Sequence, residues 1–161
     1  MTYVRNYMTC GRSGSSGNIT ESPLGTLSLA AIPEDGQSEV FAQWAGIPIP
    51  EPGVWVIAAR CRQATPPGSG VQNPRNGVLP VWSGNFVQLL NRGQAVVEAK
   101  NYAYEFTVPE GTETLTWRVC APSGTGGSAI WDHLYIGPKT DWQQLKALDL
   151  DWFRGDMMPM P

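Results

Sequence analysis

Apolar and polar positions alternate with a period of two through much of the chain, and the alternating runs are short. From Asn101 to Val108, Tyr102, Tyr104, Phe106 and Val108 fall on one face; from Thr114 to Ala121, Leu115, Trp117, Val119 and Ala121 do the same. Both runs predict half-buried β-strands, joined by a tight turn over Pro109–Glu113. Thr26–Ile32 sets Leu27, Leu29 and Ala31 against Thr26 and Ser28, and Tyr3–Thr9, Val40–Ala45, Phe86–Asn91 and Ala129–Ile136 read as further strands. Val54–Cys61 is apolar on both faces, which predicts a central strand covered on both sides. The connections are rich in Gly, Pro and Ser. Gly11–Gly17 (GRSGSSG) reads as a flexible loop, Pro33–Gly36 as a turn, and Ile47–Gly53 (IPIPEPG) as a connection unsuited to a central strand. Gln63–Gly84 is the longest irregular stretch and holds four prolines. One segment has helical spacing: Thr140 as N-cap with Gln143 three residues on, then Trp142, Leu145 and Leu148. Many short strands divided by turn residues predict an all-β fold. The expected architecture is an antiparallel β-sandwich of jelly-roll type with at most one short C-terminal helix. Residues 1–150 would form the sandwich and residues 151–161 a docking tail.

The chain has 161 residues, a length suited to one domain. Charged residues make up 16% and the net charge is −3, so a nucleic-acid footprint built on Lys and Arg is not expected. No apolar run approaches the ~20 residues of a membrane span, so no membrane partner is expected either. No secretory leader is recognisable at the start, and the three cysteines, Cys10, Cys61 and Cys120, form neither a CxxC pair nor an even set. Both features predict folding in a reducing cytosol, with the cysteines as small hydrophobes; a Cys61–Cys120 contact across a sheet stays open.

No catalytic constellation stands out. GxSxG, HExxH and a phosphate-cradling loop are missing, so an enzyme is not expected. Asp149, Asp151 and Asp156 read as solvated carboxylates. The lone histidine, His133, is next to Asp132, and strand neighbours point to opposite faces, so the two do not form an orienting pair. Strict alternation puts Asp132 in a row with Ile130, Leu134 and Ile136. A carboxylate there needs a partner: backbone N–H groups, an arginine fork, or a metal, which makes Asp132 a candidate calcium ligand. The opposite row, Trp131, His133 and Tyr135, reads as core or as an exposed aromatic platform.

Four segments resemble a known family. RNYMT at Arg5–Thr9 is similar to the R-N-L-x-x-N-P opening of carbohydrate-binding-module-like domains in minor tail proteins of actinobacterial phages. Asp132 in IWDHLYI matches their closing strand, DWFRGD at Asp151–Asp156 their Y-F-D-G-D ending, and FTVPEG at Phe106–Gly111 their x-V-P-A-G step. The sequence departs from the pattern after RNYMT, where CGRSGSSG replaces Asn-Pro and a following Phe-Glu. In calcium-binding modules of this type a residue near that opening helps hold the ion. That residue is missing here, which counts against an ion, so no cofactor is expected; a structural calcium at Asp132 is the one alternative left open.

The resemblance implies a structural virion protein of a tailed bacteriophage, a minor tail or decoration protein, made in the bacterial host cytoplasm. Its partners would be other virion proteins and copies of itself. Trp152, Phe153, Met157 and Met158 are too many apolar groups to leave in water at a terminus, so the tail is expected to dock on a partner or on the domain itself. The alternative is a glycan-binding adhesion module contacting the host cell surface. Trp82 and Asn85 are then the foremost contact candidates, whether for glycan or for a neighbouring subunit, with Trp44 and Arg75 behind them.

Overall fold

The computed structural model describes residues 2–22, 25–31, 39–70, 72, 74–93 and 95–161. The turn expected at Pro33–Gly36, and Ile32 before it, lie outside the described residues. Two five-stranded antiparallel sheets face each other. The first has the order β2 (Gly14–Ser16), β5 (Val40–Pro48), β10 (Thr114–Ala121), β7 (Val81–Ser83), β8 (Gln88–Leu90). The second runs β3 (Asn18–Glu21), β4 (Leu27–Ala30), β11 (Ser128–Pro138), β6 (Gly53–Thr65), β9 (Asn101–Val108). This is the antiparallel β-sandwich read from the sequence, with a single helix, α1 (Lys139–Ala147), among the described residues.

The core is the alternating inward set of both sheets. Leu27, Leu29, Val40, Ala42, Trp44, Trp55, Ile57, Leu115, Trp117, Val119 and Trp131 are all buried there. The indole of Trp131 also ties the sheets together, its Nε1–H donating to the Cys120 carbonyl at 2.9 Å. Cys61 and Cys120 are both buried and unbridged. Burial pushes the Cys61 thiol up to about 11, so it stays a neutral, hydrophobe-like group.

The GRSGSSG segment corrects one expectation. It forms β2, with Gly14, Ser15 and Ser16 paired to Gln43, Ala42 and Phe41 of β5. The pairing is made by backbone groups, so side chains without packing value do not prevent it. At Gly17 the chain then crosses from the first sheet to the second. Gly17 has φ +92°, and a Cβ there would lie 2.5 Å from the Ala30 carbonyl oxygen and 2.8 Å from Val40 Cγ1, so only glycine fits.

A second correction concerns β11. Asp132 pairs with Arg60 but Tyr135 pairs with Ala58, so one extra residue is inserted on β11. His133 takes up the bulge at φ 53°. The bulge reverses the facing of everything after it. Trp131 and Ile136 therefore both point into the main core, while Asp132 and Tyr135 lie on the outer side. Neither of the two straight rows expected from alternation exists.

That outer side carries a second, smaller core. Val4, Ala58, Tyr135, Leu145 and Phe153 are buried together beneath α1, with Trp142, Trp152 and Met158 packed around them. The helix starts at Lys139, one residue before the expected cap Thr140, with Pro138 at the N-cap and no side-chain capping bond. The tail folds back onto its own domain. β12 (Met157–Pro159) pairs antiparallel with β1 (Tyr3–Arg5), setting Met158 opposite Val4. Asn6 is the joint of this corner. Its amide donates to the Leu134 carbonyl at 2.9 Å, and its Oδ1 accepts from the N–H groups of Met8 and Ile136, both at 3.2 Å. Its own N–H donates to the Asp156 carbonyl at 2.8 Å. The RNYMT, IWDHLYI and DWFRGD segments thus meet at one buried polar residue.

Candidate functional site

The outer face of the first sheet carries the residues that alternate with the core. Val40, Ala42 and Trp44 of β5 point inward, so Phe41 and Gln43 point out; Trp117 and Val119 of β10 point inward, so Arg118 points out. On β7, Trp82 alternates with buried Val81 and Ser83. The register sets Gln43 opposite Arg118 and Trp82 opposite Thr116. Because β10 lies between β5 and β7, Arg118 is flanked by an aromatic ring on each side. Its guanidinium carbon is 3.7 Å from the Phe41 ring centroid and 4.8 Å from that of Trp82.

Arg118 is held in place by more than the rings. Its Nε–H donates to Gln43 Oε1 at 2.7 Å and Nη1 to Glu39 Oε2 at 3.2 Å. Glu39 is itself nearly buried and accepts further bonds from the Asn76 amide at 3.3 Å and the Cys120 thiol at 3.4 Å. Burial pushes the Cys120 thiol well up, and the Glu39 carboxylate adds to it, so the thiol is a neutral donor and not a nucleophile. Among the described residues Arg118 Nη2 makes no hydrogen bond, and 23% of the side chain is exposed. The face therefore offers two aromatic side chains, a fixed and partly open cation, and side-chain amides. Such a mixture can hold a ligand that is apolar on its flat side and polar at its rim.

The four contact candidates from the sequence fall in different places. Trp82 is in this cluster. Arg75 is exposed in the same turn as Asn76, at its edge. Asn85 is in the tight β7–β8 turn, where it lines a separate depression with Glu110 and Glu113 at the end of the sheet. Trp44 belongs to the core: it is 5% exposed and packs against Trp117 with ring centroids 6.4 Å apart. The sequence reading missed Phe41, Gln43 and Arg118. The signal was present in VFAQWA and TLTWRVCA, where these are the positions out of phase with the core residues.

Asp132 is at the other side of the molecule. It is forked by Arg60, with Nε to Oδ1 at 2.7 Å and Nη2 to Oδ2 at 2.6 Å, and Arg62 lies 3.9 Å away. Burial works against its charge, but the Arg60 fork, His133 and Arg62 outweigh it and hold the carboxyl below the usual range. Among the described residues no group of three His, Cys, Asp or Glu side chains comes together as a metal site. Because of the bulge, His133 sits beside the same arginine, its Nε2 3.4 Å from Arg60 Nη2. Its other contact is Trp152, stacked on it with centroids 4.4 Å apart and planes 3° from parallel. Of the remaining tail candidates, Phe153 is buried against Tyr135, Met158 is half-buried and Met157 is exposed. Asp149, Asp151 and Asp156 are exposed, and Asp151 pairs with Lys146.

Comparison with known proteins agrees with the architecture. No family model and no curated protein matches the chain. Among solved structures it is similar to a family 4 carbohydrate-binding module at 16% identity, with a TM-score of 0.52 over 84% of this chain and 93% of that one. It also matches the K3 cleaved adhesin domain of Lys-gingipain from Porphyromonas gingivalis W83 at 15% identity and a TM-score of 0.39, covering 71% of this chain and 74% of that one. The first of these likenesses makes the fold carbohydrate-binding-module-like.

Proposed function

We propose that the chain is a non-catalytic glycan-binding module that holds sugar on the outer face of the first sheet. The observation that carries this reading is the Phe41–Arg118–Trp82 cluster, in a fold similar to a carbohydrate-binding module. A pyranose ring presents C–H groups on its flat face and hydroxyls at its edge. Aromatic side chains take the first, and planar amide, carboxylate and guanidinium groups take the second. Glu39 and Gln43 already fix the Arg118 rotamer, so little side-chain freedom is lost when a ligand arrives.

The sequence resemblance to modules of phage minor tail proteins supplies a setting. In it the module is part of a virion, anchored by other virion proteins or by further copies of itself, and meets glycan at the host surface. Trp82→Ala tests the binding role. Affinity for host cell-wall polysaccharide should fall about 10- to 100-fold, the loss of one stacked ring at roughly 1.5–3 kcal/mol, with the fold retained. Unchanged affinity would remove the cluster from the binding surface.

A further inference from the structure

A second hollow lies on the opposite side of the molecule, on the outer face of the second sheet, with a volume of about 330 Å³. Its floor holds Ala58 and Ala103, which pair across β6 and β9. Two small side chains here leave a gap that larger residues would fill. The walls come from the segment after α1. Asp149 adopts φ 56°, and the N–H groups of Asp149 and Leu150 donate to the Lys146 and Leu145 carbonyls, a left-handed helix ending that turns the chain back over the sheet. This brings Trp152 to the same hollow as Trp142. The plane of Trp152 is fixed by its stack on His133.

The polar groups around the hollow are largely matched already. Arg60 is forked on Asp132, and Asp151 is paired with Lys146. A cationic ligand would compete with Lys146 and an anionic one with Asp132. A neutral ligand displaces neither, and it can still use Asn101, the Asp149 carboxylate and the open edge of Arg60 for hydrogen bonds. Two indoles above a small apolar floor, with hydrogen-bonding groups around them, suit an uncharged polyhydroxylated ring. The volume is near the lower end for ligand pockets, which fits one ring and not a chain.

We infer that this hollow is a second carbohydrate subsite, specific for a single neutral sugar ring, on the face opposite the Trp82 cluster. It goes beyond the reading above and does not depend on it, because the two sites share no residue. With about a dozen ligand heavy atoms engaged, affinity is expected to be about millimolar.

The test uses the indole N–H signals in the NMR spectrum of the whole chain carrying Trp82→Ala, assigned with Trp142→Phe and Trp152→Phe. Glucose, galactose, N-acetylglucosamine and rhamnose are titrated separately into the high millimolar range. At least one should produce saturable shifts of the Trp142 and Trp152 signals. Ala103→Leu, which fills the floor from an exposed strand position, should abolish both shifts without lowering the melting temperature. Absence of saturable shifts with all four sugars, or shifts that survive Ala103→Leu, overturns the inference. A Trp82 signal that responds to polysaccharide in the unsubstituted protein while Trp142 and Trp152 stay silent to all four sugars overturns this subsite alone. The reverse pattern overturns the Trp82 reading alone.

Discussion

Phe153→Ala measures how firmly the C-terminal tail belongs to its own domain. Phe153 is 8% exposed and sits in the outer core with Val4, Ala58, Tyr135 and Leu145, its ring 6.4 Å from that of Tyr135 in an edge arrangement. Truncating a buried phenylalanine to alanine costs about 3–5 kcal/mol. This cluster is small, and half-buried Trp142, Trp152 and Met158 around it can shift toward the gap, so the lower end applies, about 3 kcal/mol. For a chain of this length each kcal/mol moves the midpoint by roughly 2–4 °C, which gives a fall of about 6–12 °C in calorimetry. The urea midpoint should fall with an unchanged m-value, since the native packing is weakened and the unfolded state is not altered. Light scattering should report the same mass for the variant and its parent. A melting temperature within about 1 °C of the parent would refute the intramolecular docking. An oligomer that dissociates at unchanged melting temperature would place Phe153 at a contact between subunits.

Other perturbations address separate parts of the structure. Gly17→Ala forces a Cβ against the Ala30 carbonyl at a left-handed backbone position, and should cost about 2 kcal/mol or more and lower the melting temperature by at least about 4 °C. Stability should also fall on acidification in two stages. Burial holds the His133 imidazole below its ordinary value near 6.5, so the unfolded chain takes up the proton first and stability erodes as pH drops below that value. The Asp132 carboxyl is likewise held below its usual range, so its contribution is complete above about pH 4 and is lost as pH falls further. His133→Gln should remove the first stage and leave the second, as read from melting temperature against pH.

The strands that were legible in the sequence are those whose pairing is written in side chains. β9 and β10 alternate cleanly, and both occupy the residues that the pattern indicates. β6 continues past Cys61 to Thr65, where Gln63, Ala64 and Thr65 give no clear apolar pattern but still pair with β11 through the backbone. β2 was illegible for a related reason: glycine and serine carry no packing signal, and the unpaired backbone of β5 is what recruits them. The bulge at His133 has no apolar signature either, and one inserted residue was enough to put Asp132 and Tyr135, which alternation assigns to opposite faces, on the same one. In the candidate site, Trp82 could be picked out as an aromatic beside a long irregular stretch. Its neighbours Phe41 and Arg118 are far from it in sequence, and only the β5–β10–β7 register brings them together. Trp44, by contrast, resembles Trp82 in composition terms but sits in phase with Val40 and Ala42, which sends it to the core.

The most direct measurement is calorimetric titration of the protein with soluble bacterial cell-wall polysaccharide, run in parallel on Trp82→Ala and on Trp44→Phe. Recognition by the outer face of the first sheet predicts saturable binding to the parent, retained by the conservative core substitution and weakened about 10- to 100-fold by loss of Trp82. Equal affinity for all three proteins, or no binding to the parent, would contradict it.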